Sequence, residues 1–495
     1  MQLYELASLL PGSRIMGNPN VAITGISYDS RTVKPGDLFV CLSGHRHDGH
    51  DYAAQAVENG AAALLVEKEV HLSVPTWFVA DTRFAMAVAS AHFYRYPSHE
   101  LTLIGITGTN GKTTTAHLIE QMLEDAGYNC GLIGTIGMKV GTRHTSLLNT
   151  TPDALDLQRG LRAMVDAGEQ YCAMEVSSHA LSIGRVKGCD FRTAVFTNLS
   201  QDHLDYHETM ERYREAKGLF FSRLGNTFSP DPAKRKYAVL NADDPASEYF
   251  RSVTAAQVIT YGIDQEADVC ADRLETSISG TRFRLRSFAG ETEIMMKMHG
   301  RFSVYNALAA ATACLLEQVP LDSIKRTLEQ VKGVPGRFEA VDEGQDFLVI
   351  VDYAHTPDSL ENVLKTIAGF AEGRIICVFG CGGDRDSSKR PIMGRIAAQY
   401  SDYVIITSDN PRSEDPERIM KDIEAGVLKA RGVGAEFALI TDRREAIYKA
   451  VEMASRKDVV LIAGKGHETY QEINGERFDF DDRKVAATAI RSIKR

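Results

Sequence analysis

The residues with most chemistry to offer form one run, Gly108-Thr109-Asn110-Gly111-Lys112-Thr113, continued by Thr114. It follows the strand-like Leu101–Ile106 and opens a helical pattern with Ala116, Ile119, Met122, Leu123 and Ala126 on one face. Glycines let a backbone approach phosphates, loop amides and a helix N-terminus bind the anion, and a lysine reaches the terminal phosphates. Lys112 is placed for that task, and Thr113 offers a hydroxyl to Mg²⁺. The usual nucleotide-loop spacing is not met, because Ile106 stands where its first glycine would be. Such a run implies a nucleoside triphosphate and leaves the reaction open.

Two further groups narrow the chemistry. Glu175 lies within the apolar run Tyr171–Val176. A charge on a buried parallel strand is costly unless it meets a cation, and sites in such sheets lie beyond the C-terminal strand ends. Glu175 is therefore expected to face the phosphate loop and a metal. The next strand ends at Asn198 and runs into Asp202-His203-Leu204-Asp205, where His203 is either a second ligand or a satisfied surface histidine. Lys217 falls within a helical stripe of Met210, Tyr213, Phe220, Phe221 and Leu224. A lysine kept from water titrates downward and becomes nucleophilic, and CO₂ can then convert it to an anionic carbamate. On spacing alone, a lysine snorkelling from the edge of the stripe is the favoured alternative.

These residues need a scaffold, and the chain of 495 residues is long enough for about three domains. Composition is that of a globular protein, 44% hydrophobic and 25% charged. The net charge of −10 and the lack of a long basic run argue against nucleic acid and against an anionic membrane surface. Met1–Leu10 lacks a basic start and carries Glu5, unlike a signal peptide, and no apolar run reaches membrane-spanning length. Eight scattered cysteines suit a reducing compartment, so a cytoplasmic protein is expected. The expected segments are 1–98, 99–334 and 335–495. The first contains apolar runs at Ile23–Tyr28, Asp37–Leu42 and Ala62–Val66, with an amphipathic stretch at Tyr52–Glu58. Strands alternate with helical patterns at Gly131–Thr135, Ala194–Asn198 and Tyr237–Asn241, and again at Leu348–Asp352, Ile375–Phe379, Tyr403–Thr407 and Val459–Ala463. That rhythm predicts an α/β fold with parallel sheets covered on both faces, and residues 265–295 an antiparallel excursion.

Taken together, these motifs resemble the Mur ligases over essentially the whole chain. The resemblance implies three domains: a UDP-sugar-binding N-terminal domain, a central ATPase and a Rossmann-like C-terminal domain. It implies that Gly108 to Thr114 bind ATP, aided by Asn306, Arg337 and Asp352, with His355 nearby. It implies Mg²⁺ on Thr113, Glu175, His203 and a carbamylated Lys217. Asp29-Ser30-Arg31 and His45-Arg46-His47 match segments that hold the UDP-sugar. Asn149, Thr150, Thr151, Ser177 and Arg185 match those holding its dipeptide arm. Arg385, Asp409-Asn410-Pro411-Arg412, Gly464 and Glu468 match a diaminopimelate pocket. One departure stands out: Ser303 occupies a position where the family usually has an asparagine that contacts the nucleotide base.

The implied reaction joins meso-diaminopimelate to UDP-MurNAc-L-Ala-D-Glu through an acyl phosphate made with ATP, in a monomer whose third domain closes about Lys332–Gly336. Diaminopimelate differs from lysine by a distal carboxylate, which suits the fork of an arginine such as Arg412, while Glu468 suits the neighbouring ammonium. A lysine-adding ligase of the same family and a folylpolyglutamate synthetase-like ligase remain alternatives. So does a nucleotide-binding regulatory module, though such a module needs neither the metal set nor a lysine on an apolar face.

Overall fold

The computed structural model describes all residues except 45–46, 232–233, 278–279, 332, 431–435 and 494–495. The described residues form three large sheets and one small hairpin. The first sheet runs Arg14–Met16, Thr76–Phe78, Ala63–Val66, Asp37–Val40, Gly25–Ser27 across its width. Its two strands Arg14–Met16 and Thr76–Phe78 are too short for their alternation to stand out in sequence. The helix Thr82–Phe93 is also absent from the sequence reading. Its buried Ala85, Met86, Ala87, Ala89 and Ala91 surround most of the helix, so no amphipathic stripe marks it. The Asp81 carboxylate fixes its start by accepting the Phe84 amide at 2.9 Å.

The central sheet has eleven strands, and its middle is parallel: Gln257–Gly262, Tyr237–Asn241, Phe191–Phe196, Thr102–Thr107, Tyr171–Glu175, Cys130–Gly134. Thr102–Thr107 lies between the strands that end in Glu175 and Phe196. Glu175 pairs with Ile106, and Phe196 with Thr107. The chain crosses over from one side of Thr102–Thr107 to the other, and the crevice at the carboxyl ends opens there. The helix Lys112–Asp125 packs Ile119 and Met122 with Ala307 and Ala310 of Arg301–Leu316 on one face. Leu161 and the Phe220–Phe221 pair cover the other face. The predicted antiparallel excursion is present as Val269–Ser277, Gly280–Ser287 and Gly290–Met296.

The third sheet runs Glu339–Ala340, Leu348–Asp352, Val459–Ala463, Ile375–Phe379, Tyr403–Ile406, Glu436–Leu439, parallel apart from its first short strand. It is apolar on both faces, with Leu461 and Phe379 in one core and Val460 and Ile462 in the other. The hairpin Tyr470–Ile473/Glu476–Asp479 stands apart, and the sequence reading did not anticipate it.

Candidate functional site

Strand Thr102–Thr107 delivers the chain into the loop, and Gly111 begins the following helix at φ +86°. A β-carbon there would fall 2.2 Å from Asn306 Oδ1, so glycine is required for Asn306 to lie against the loop. Asn198 holds the loop from the adjacent strand end. It accepts the Asn110 amide at 2.9 Å and the Thr109 amide at 2.8 Å, and donates to the Asn110 carbonyl at 3.0 Å. Lys112 Nζ donates to the Gly108 and Thr109 carbonyls at 2.9 and 2.8 Å. Burial, with Arg337 adding to it, lowers its pKa against the pull of Glu175 and Asp202.

Glu175 is buried, yet its nearest partners are not cations as expected. The Thr135 amide donates to Oε1 at 2.7 Å; the hydroxyls of Thr113 and Thr135 each reach Oε2 at 3.1 Å. Three neutral donors satisfy the carboxylate, which removes most of the burial cost that the sequence reading assigned to a cation. Thr135 went unnoticed in the sequence, although it ends a predicted strand. Its hydroxyl also lies 3.1 Å from that of Thr150.

Lys217 is 1% exposed, so it does not snorkel. Its Nζ donates to the Gly108 carbonyl at 2.9 Å and lies 4.5 Å from the centre of the Tyr213 ring. Burial and then the Lys112 charge hold its pKa well below the ordinary lysine value, against Asp202. His203 has a left-handed backbone, φ 55°, and its Nε2 is 3.4 Å from Asp202 Oδ2. Desolvation in the cleft, with Lys112 and Lys217, pushes its pKa down to about 3 despite Asp202, leaving a neutral imidazole able to act as a ligand. Among the described residues no three His, Cys, Asp or Glu side chains cluster as a metal site. Thr113 and Glu175 are in direct contact, whereas His203 and Lys217 approach the loop from the side of Tyr213.

The third sheet leans over this loop. Arg337 Nη2 donates to Thr113 Oγ1 at 3.0 Å, and its guanidinium lies over the Tyr353 ring. Asp352 is buried, accepts the Phe338 amide at 2.7 Å, and has a pKa raised by burial against the Arg337 charge. Asn110 Nδ2 donates to Asp358 at 2.8 Å. Asp202 lies 4.0 Å from His355 and 3.8 Å from Lys389. Ser303, 1% exposed, donates to the carbonyl of His299, just ahead of its helix, at 2.7 Å. Its hydroxyl is committed there rather than free for a base.

Of the residues expected to hold the UDP-sugar, His45 and Arg46 lie outside the described residues. Ser30 is buried and donates to Gln55 at 2.7 Å, while Asp29 pairs with Arg31. His47 Nδ1 is 3.4 Å from the Tyr52 hydroxyl. Asn149 is exposed. Thr151 donates to the Glu175 carbonyl at 2.8 Å and accepts the Ser177 amide at 3.1 Å. Arg185 donates to the Thr151 carbonyl and to Asp153 at 3.0 and 3.1 Å.

The residues matched to an amino-acid site gather mainly at the carboxyl ends of the third sheet. Asp409 follows Tyr403–Ile406, and Gly464 follows Val459–Ala463. Gly464, at φ +116°, has no room for a side chain: a β-carbon would fall 2.5 Å from Asp409 Oδ2. Pro411 is buried, and Arg412 adopts φ 53°. The Arg412 backbone is clamped to the unpredicted hairpin by its amide to the Glu472 carbonyl and its carbonyl to the Asn474 amide. Its Nη1 donates to the Gly383 carbonyl at 2.6 Å. Arg385 is exposed, with Nη1 on the Asp384 carbonyl. Glu468, which the sequence reading left free for a substrate ammonium, already accepts from Asn410 at 2.8 Å and from Lys465 at 3.0 Å through Oε2. Lys465 escaped notice although Gly464 and Glu468 flank it.

Matches to known proteins place this architecture and loop among ATP-dependent ligases, and the chain belongs to the Mur ligase family. The family's catalytic domain matches residues 22–99, its middle domain 106–314, and its glutamate ligase domain 336–466. The chain is 53% identical over 491 residues to the UDP-N-acetylmuramoyl-L-alanyl-D-glutamate–2,6-diaminopimelate ligase of Geobacillus thermodenitrificans, covering 99% of each chain. It is 52% identical to the Bacillus licheniformis enzyme of the same name over all of both chains. A solved structure of a ligase with that name superposes at a TM-score of 0.69, with 35% identity over 100% of this chain and 99% of the other.

Proposed function

We propose that this chain catalyses the ATP-dependent joining of meso-2,6-diaminopimelate to UDP-N-acetylmuramoyl-L-alanyl-D-glutamate, a cytoplasmic step of peptidoglycan precursor synthesis. The observation that carries it is full-length identity of 53% to a ligase of that name, together with a phosphate loop that the third segment touches through Arg337 and Asp358. Residues 1–98 would hold the UDP-sugar through Ser30, His45, Arg46 and His47. Residues 99–334 would hold ATP and the dipeptide arm, the latter on Asn149, Thr150, Thr151, Ser177 and Arg185. Residues 335–495 would hold the amino acid on Arg385, Asp409, Asn410, Pro411, Arg412, Gly464 and Glu468.

The D-glutamyl carboxylate attacks the γ-phosphorus of ATP, ADP leaves, and an acyl phosphate forms. The diaminopimelate amine then attacks the acyl carbon, gives up a proton, and inorganic phosphate leaves. Two anions must meet in the first step. The loop amides, Lys112 and Arg337 bind phosphate oxygens and offset that repulsion. Asn306 and Asp352 keep the loop and Arg337 in place. Thr113, Glu175, the neutral His203 and a carbamylated Lys217 would hold Mg²⁺, a donor set that, with its imidazole, suits that ion less simply than an all-oxygen one. Bound there, Mg²⁺ supplies further charge neutralisation. Closure of the third sheet over the loop keeps water from the acyl phosphate.

The test is ADP release with UDP-MurNAc-dipeptide plus diaminopimelate, plus lysine, and with no amine. Release with diaminopimelate far above the other two is expected. Equal or faster release with lysine would assign the chain to lysine addition, and turnover only with a folate would remove it from this branch.

A further inference from the structure

Lys465 is a buried, charged residue between Gly464 and Glu468 that the proposed chemistry leaves without a task. It is 0% exposed, and its Nζ donates to Asn410 Oδ1 and Glu468 Oε2, each at 3.0 Å. Asn410 Nδ2 closes the triangle on Glu468 Oε2 at 2.8 Å, and Asn410 Oδ1 also accepts the Glu472 amide at 3.0 Å. An amide side chain is ambiguous by itself, because its oxygen and nitrogen ends are nearly equal in shape. Lys465 removes the ambiguity: an ammonium has only donors, so the oxygen of Asn410 must face it and the NH₂ must face Glu468.

The same contact works against the burial that raises the pKa of Glu468. Around this carboxyl stand Lys465 from the turn after Val459–Ala463 and Asp409 from the turn after Tyr403–Ile406. Tyr353 follows Leu348–Asp352, Tyr470 begins the hairpin, and Arg443 comes from the helix Arg443–Met453. Burial and Asp409 favour the neutral acid, while Lys465 favours the carboxylate. A buried carboxylate with its cation removed takes up a proton rather than remain charged.

We propose that Lys465 is a positioning residue for the amino-acid substrate, holding Asn410 in one orientation and the Glu468 carboxyl beside it. This rests on the diaminopimelate-ligase reading. The distal end of diaminopimelate is an ammonium and a carboxylate with no net charge, whereas that of lysine is a bare cation. Lys465 cancels the charge of Glu468, so the pocket around Arg412 favours the neutral pair over the cation. Lys465 thereby also contributes to the choice between the two amino acids.

The experiment compares wild type, Lys465→Met, Glu468→Gln and the double variant Lys465→Met/Glu468→Gln, with diaminopimelate and with lysine. Lys465→Met should raise the KM for diaminopimelate about tenfold or more, and should narrow its kcat/KM advantage over lysine once the pH is high enough to ionise Glu468. The KM values for ATP and UDP-MurNAc-dipeptide should stay within about twofold. That KM for diaminopimelate should fall back as pH is raised and Glu468 ionises, a response that a merely structural lysine would not produce. In the double variant no charge is stranded, and its diaminopimelate KM should lie within about threefold of Glu468→Gln alone. An unchanged diaminopimelate KM in Lys465→Met, or a parallel rise for all three substrates, would overturn the proposal. If Lys465→Met cannot be obtained folded, a further loss of about tenfold from Glu468→Gln to the double variant would do the same. Failure of the wild type to use diaminopimelate would instead refute the underlying functional reading.

Discussion

The ammonium groups of Lys112 and Lys217 converge on one acceptor, each donating to the Gly108 carbonyl at 2.9 Å. Two like charges on one peptide dipole in a buried site repel strongly, and proton loss by one of them relieves the conflict. Lys217 is the more buried, on an apolar helix face, and its pKa is held well down by burial and by Lys112. A neutral amine is the form that reacts with CO₂, so this arrangement suits the carbamylation proposed for Lys217.

Replacing Lys217 with alanine should therefore abolish turnover while leaving UDP-substrate affinity nearly intact. Short-chain carboxylates should restore part of the activity by standing in for the carbamate. Wild-type rates in Lys217→Ala would end this assignment.

Acidification should destabilise the protein before its carboxylates titrate. Burial pushes the pKa values of His355 and His207 down to about 4 and that of His467 down to about 3, from an ordinary 6.5. Between those values the unfolded chain binds more protons than the folded one, so stability falls as pH drops below about 6.5. The unfolding midpoint should be lower at pH 5 than at pH 7.5, and His467→Gln should flatten the slope. A midpoint independent of pH over that range would contradict it.

Arg412→Ala should lose about 30-fold to several thousandfold in kcat/KM for diaminopimelate, the range for breaking a desolvated charge pair. Activity with lysine should fall far less. Arg412→Lys should recover little, because an ammonium cannot reproduce the fork that already anchors one nitrogen on the Gly383 carbonyl. Equal losses for both amino acids would show that Arg412 only braces the hairpin.

Asp358 accepts from Asn110 of the phosphate loop at 2.8 Å and from Ser200 at 3.3 Å, so it ties the third sheet to the second. Asp358→Ala should shift the protein toward an open form, read as a larger radius of gyration in solution scattering and a raised KM for ATP. Unchanged scattering and kinetics would show that the contact contributes nothing to closure.

Ser303→Asn would restore the side chain usual in the family, but the structure argues against a gain in ATP affinity. The serine is 1% exposed, and its hydroxyl is bonded to the His299 carbonyl. The larger amide should cost about 1–3 kcal/mol of stability through overpacking. Denaturant unfolding measures it, and a more stable variant with a lower ATP KM would reverse the argument.

What could be read from sequence alone was whatever is periodic or contiguous. Strands such as Tyr237–Asn241 and Val459–Ala463 have the bounds that their apolar runs predict, whereas Lys217 is buried although spacing alone favours a lysine snorkelling from the edge of its stripe. The phosphate loop was legible because its residues are adjacent and its helix follows at once. The helix Thr82–Phe93 was not, since burial on most sides erases the stripe that signals a surface helix. Tertiary structure alone decided the partners. Glu175 meets Thr113 and Thr135 because parallel strands far apart in sequence end side by side, and Glu468 meets Asn410 because two strand-end turns converge. Hydrophobic period depends on local spacing, which sequence records; the neutralisation of a buried charge depends on which chain ends meet in space, and only the folded sheet order sets that.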